Sequence, residues 1–82
     1  MNRQLLEREL AEAREHVAKG KNRLTRQLGV IEELDRHGHD TTAARALLRT
    51  FEESQQMHAH DVARLEGELD KLNGRDSPPG AA

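Results

Sequence analysis

Two stretches of the chain repeat one order of side chains, His37-Gly38-His39-Asp40 and His58-Ala59-His60-Asp61. Imidazole nitrogens and a carboxylate this close together are ligands that zinc and nickel accept, so metal chemistry is the first kind to weigh. The second stretch sits in a segment that reads as helix. Residues two apart on a helix point to different faces, so His58 and His60 do not share one ion. The first stretch sits where the helical pattern breaks, and irregular backbone there can gather His37, His39 and Asp40. Three ligands fall short of the four that a structural zinc site takes. The reading is therefore a corner with surface imidazoles and no metal site, with weak zinc or nickel binding at His37, His39 and Asp40 as the alternative.

Other chemistry has less to stand on. The chain has no cysteine, which removes thiolate nucleophiles, thiolate zinc sites and disulfides. Serine occurs only at Ser54 and Ser77, and no glycine-rich phosphate loop is present. Glu32, Glu33 and Asp35 read as a solvated helix face, because a thin helical rod offers no concave site in which carboxylates are desolvated and tuned. No enzyme activity and no cofactor are expected.

The elements that would position these residues are two helices. Residues 2 to 37 contain no proline and are rich in Leu, Ala, Glu, Arg and Gln, which lose little side-chain freedom in a helix. Gly38 can take the left-handed conformation that closes a helix, and Asp40 or Thr41 can accept hydrogen bonds from the free amides that open the next. The spacing predicts a helix over about 2–37, a corner at 38–40, a second helix over about 41–72, and a disordered tail over 74–82 whose prolines cannot continue a helix.

Each helix carries one sticky stripe. On the second, Ala44, Leu48, Phe51, Gln55, His58, Val62, Leu65, Leu69 and Leu72 are spaced alternately four and three apart, a heptad seam. The first repeats this at Leu6, Leu10, Ala13, Val17, Gly20 and Leu24. It then steps by four to Leu28, as a stutter does, before Ile31 and Leu34 or Asp35. The fold class is thus all-α, an antiparallel two-helix coiled-coil hairpin over residues 1–73. Folding about residues 38–40 pairs Leu6 with Leu72, Leu10 with Leu69, Gly20 with His58, Leu24 with Gln55 and Leu28 with Phe51. Gly20, Gln55 and His58 form a polar layer that can set register at some cost in stability, and His58 there is a candidate pH-responsive group. Flanking residues add the ion pairs Arg14–Glu66, Asp35–Arg45 and Arg26–Glu53, bring His16 near Asp61, and set Glu9 unfavourably against Glu68.

A stripe this narrow is a small core for a chain of 82 residues. A second apolar patch, Val30, Leu34, Ala43 and Leu47, lies beside the seam near the corner. The expected outcome is a homodimer, two hairpins forming a four-helix bundle. Composition narrows other partners. A net charge of -2 and a single aromatic, Phe51, give no footprint for nucleic acid. Lys19, Lys21, Arg23 and Arg26 form the one basic run, an alternative weak site for an anionic partner. No stretch is apolar enough for a membrane span or signal peptide, so a cytoplasmic protein is expected.

The segment Gly38-His39-Asp40-Thr41, the pair Leu47-Leu48, Phe51-Glu52-Glu53, then His58, Asp61 and Leu65 resembles a group of short helical-hairpin proteins of alphaproteobacteria, rhizobial in type. The likeness covers about residues 5 to 72, and the chain departs from the group at His37 and His60. The resemblance implies a helical hairpin of bacterial, cytoplasmic origin and carries no assigned activity. The function expected is that of a small structural or protein-interaction module, a regulatory adaptor acting through an exposed coiled-coil face. A metal- or pH-responsive element at His37, His39 or His58 is the alternative.

Overall fold

The structure, a computed structural model, describes residues 2–74. It is all-helical: α1 (Arg3–Arg36) and α2 (Thr42–Leu72) pack against each other in opposite directions. The expected tail beyond Gly74 lies outside the described residues. Helix α1 opens on Asn2, whose side-chain oxygen accepts from the Leu5 amide at 2.8 Å and so satisfies one of the free donors of the first turn. No helix is long and apolar enough to cross a membrane among the described residues.

The corner is built from two local devices. Gly38 has φ +73°, its amide donates to the Asp35 carbonyl at 3.1 Å, and the His39 amide donates to the Leu34 carbonyl at 2.9 Å. This pair of bonds is the Schellman closure, which satisfies carbonyls that the ending helix would otherwise leave bare. On the far side, Asp40 Oδ1 accepts from both the Thr42 amide at 3.0 Å and the Thr42 hydroxyl at 2.7 Å. Of the two residues expected to open α2, Asp40 does so. Thr41 makes no such bond to the helix amides, and its hydroxyl instead accepts from the Arg45 guanidinium at 2.9 Å.

The seam differs from the expected one in two respects. It has no stutter: Leu24 is followed by Gln27 and Ile31, both buried, while Leu28 is 55% exposed. An unbroken alternation of four and three keeps Ile31 and Leu34 in line. Gln27 is tolerated inside because its Nε2 donates to the Ala44 carbonyl of α2 at 2.8 Å, which removes the cost of burying an unpaired amide.

The register is also displaced by one seam position along α2. Leu6, Leu10 and Leu65 form the core, with Ala13, Val62 and Leu69 packed on it, and Gly20 faces Gln55 rather than His58. Leu72 is consequently left 48% exposed instead of covering Leu6. With Gly20 beside Gln55 and Gln27 bonded to Ala44, α2 starts about one turn lower along α1 than a symmetric corner would place it.

The core that results is thin. Leu6, Leu10, Ile31 and Leu65 are the apolar side chains buried among the described residues, each contributing about 2 kcal/mol. Across the edges, Arg14 pairs with Glu66 at 2.9 Å and Arg45 with Asp35 at 3.1 Å, as the flanking positions suggested. These groups are about half exposed, so each pair contributes no more than about 1 kcal/mol.

Candidate functional site

The corner residues are occupied with holding the corner. The His37 ring Nδ1 donates to the Glu33 carbonyl at 2.9 Å, and the His37 and His39 rings lie stacked with centroids 6.4 Å apart. Asp40 spends its Oδ1 on the two Thr42 donors, and the backbone hydrogen bond, followed by the hydroxyl bond, holds its carboxyl below the ordinary value of 3.8. Among the described residues, no group of three or more His, Cys, Asp or Glu side chains is arranged to hold a metal ion.

Of the expected polar layer, Gln55 and Gly20 meet and His58 stands one turn away. Gln55 Nε2 donates to the Val17 carbonyl of α1 at 2.8 Å, and its carboxamide lies in the space that a side chain at position 20 would fill. Gln55 Oε1 is buried without a hydrogen-bond partner. Gln27 and Gln55 thus work reciprocally: each reaches from its own helix to a backbone carbonyl of the other. Gln27 is the member that sequence reasoning passed over. The signal that finds it is the strict four-three spacing, which runs through position 27 once no stutter is allowed.

His58 packs edge-on against His16 of α1, with centroids 5.1 Å apart and planes at 70°. Lys19 and Arg23 line one side of this pair, and Glu12, Asp61 and Arg64 line the other. The same long face continues to the corner, where Arg26, Val30, Glu33 and Leu34 border a shallow groove. Residues spaced seven apart share a face on a heptad helix, so Val30 belongs with Arg23 and His16, and Leu47 with Ser54 and Asp61.

This histidine face carries most of the uncovered apolar surface. Val30 is 43% and Leu47 44% exposed, Ala43 is exposed and Leu34 is partly buried. Leu5 and Met57 fall on the same face by their spacing and are also exposed. The opposite face holds the Arg14–Glu66 and Arg45–Asp35 pairs, and Leu28 is its large exposed apolar residue. The two sides of the rod are therefore unlike: one is bound by ion pairs, the other is apolar near the corner and charged beyond it.

Comparison of the chain with protein-family models, curated proteins and solved structures returned no match. The class that its geometry defines is an antiparallel two-helix hairpin with one apolar side.

Proposed function

We propose that the hairpin is a small protein-interaction module that pairs with a second copy of itself, burying Val30, Leu34, Ala43 and Leu47 in a four-helix bundle and presenting the outer helix faces to a protein partner. One observation carries this reading. The hairpin buries few apolar side chains, yet leaves Leu5, Val30, Leu47 and Met57 exposed on one long face. Covering each of those residues contributes on the order of 1–2 kcal/mol, a large addition to a seam that is interrupted by Gln27, Gly20 and Gln55. The charged outer positions keep a paired form in solution and leave a coiled-coil surface for an adaptor role.

Sedimentation equilibrium tests it. The protein is expected to sediment at twice its chain mass at micromolar concentration. The double variant Val30→Ser/Leu47→Ser is expected to fall to the monomer mass, and Leu28→Ser, on the opposite face, to keep the dimer. A chain that stays monomeric at micromolar concentration with its helicity intact refutes the reading.

A further inference from the structure

The rings of His16 and His58 stand between two unlike cavities. One is lined on its far side by the acids Glu9, Glu12 and Asp61 together with Arg64. The other, of about 180 Å³, is lined by His16, Lys19, Arg23 and His58, with no carboxylate among its lining residues. Lys19 and Arg23 stand three and seven residues beyond His16, on one face of α1. His58 comes from α2, its ring centroid 5.1 Å from that of His16, one turn past the Gln55 that fills the space beside Gly20.

The structure thereby splits the basic run of α1. Lys21 is seven residues from both Arg14 and Leu28 and so belongs to the opposite face, and Arg26 borders the corner groove with Val30. Lys19 and Arg23 are the two members that meet the imidazoles. Lys19 also bonds Glu15 of its own helix at 3.1 Å, but its side chain is 63% exposed, and an exposed pair of this kind gives way readily to a stronger anion.

These four side chains offer a point-charge ammonium, a planar guanidinium fork and two ring N–H groups, from two helices. Such a set suits an anion with oxygens on several sides. A carboxylate is neutralised by one cation and presents two oxygens in one plane. A phosphate monoester carries about -1.5 to -2 charges at pH 7 and three free oxygens, which match two cations and their flanking donors. The phosphodiester of a nucleic acid carries a single charge, and Phe51, the one aromatic, leaves its bases nothing to stack on. We propose that His16, Lys19, Arg23 and His58 form a site for a phosphate group, free or as a monoester, held between the two helices. The site lies away from the patch proposed to be buried between copies, since Arg23 and His16 stand one and two heptads from Val30. A phosphate there ties α1 to α2 beside the layer where Gly20 and Gln55 interrupt the apolar seam.

Proton NMR of the five histidine rings tests it, with inorganic phosphate added at constant pH and ionic strength. The His16 and His58 signals are expected to move along one saturating curve with half-saturation at about millimolar phosphate, while those of His37, His39 and the exposed His60 stay in place. Five signals drifting together in proportion to added anion, or no saturation at His16 and His58, overturns the site. O-phosphoserine is titrated in parallel: saturation by both ligands supports a site that takes phosphate on an ester, and saturation by inorganic phosphate alone supports one for the free anion. Charge variants separate a site from general attraction. Arg23→Gln is expected to weaken binding about tenfold, and Lys21→Gln, the same change of charge on the opposite face, to leave it unaltered. Equal weakening by the two variants, with helicity intact, also overturns the proposal.

Discussion

Gly20 offers a test of the displaced register, because the expected and observed registers put different residues opposite it. In the structure, a Cβ at position 20 overlaps Gln55 Oε1 and lies 2.7 Å from its Cδ. Gly20→Ala has two opposed effects. Replacing a glycine inside a helix stabilises by about 0.5–1 kcal/mol. Against this, the Gln55 carboxamide must swing away, and its 2.8 Å hydrogen bond to the Val17 carbonyl is lost, a cost of about 1 kcal/mol. The net effect in the native background is a change near zero or a small loss. In a Gln55→Ala background the space is open and the full helical gain of about 0.5–1 kcal/mol is recovered. The double-mutant cycle should therefore give a coupling of about 1 kcal/mol between positions 20 and 55. The assay is urea unfolding followed by circular dichroism at one fixed protomer concentration, since self-association makes stability depend on it. Equal effects of Gly20→Ala in the two backgrounds, or coupling to His58 in place of Gln55, would refute the register.

The corner supplies two further expectations. Gly38→Ala should destabilise by about 1 kcal/mol, because Gly38 sits at φ +73° and no neighbour lies within 4 Å to clash; Gly29→Ala, in equally open helical surroundings, should stabilise, and urea midpoints of the same sign for both would contradict the assignment. Asp40 has its carboxyl pKa lowered by its bonds to Thr42, so its contribution is present above the ordinary carboxylate value and disappears as pH falls through the lower folded value. The difference in thermal midpoint between the native protein and Asp40→Ala should accordingly be largest near neutrality and close on acidification below pH 3.8; a gap that persists unchanged at pH 2 would exclude the capping role.

The histidine pattern shows where reading a sequence for site chemistry stops. His37, His39 and Asp40 could be recognised as corner residues because Gly38 and Asp40 act on backbone groups only a few residues away. The contact between His16 and His58 was not legible in the same way. It depends on which turn of α1 lies beside which turn of α2, and one seam position of error exchanges His58 for Gln55 at Gly20. The apolar patch of Val30, Ala43 and Leu47 could be named in advance because face membership depends only on the period of the helix. That Leu28 lies on the opposite side was not, because an inserted stutter had absorbed it into the seam in place of Gln27.

By itself the sequence determined the two helices, their ends and the corner, all through hydrogen bonds and capping groups acting within about six residues. The tertiary structure decided the register, the reciprocal bonds of Gln27 and Gln55 to the opposite helix, and the pairing of His16 with His58. Those depend on which turn of α1 lies beside which turn of α2, and a heptad seam permits more than one such displacement with similar apolar burial. The choice between them falls to the polar seam residues, since in the register adopted the buried amides of Gln27 and Gln55 each donate to a carbonyl of the opposite helix.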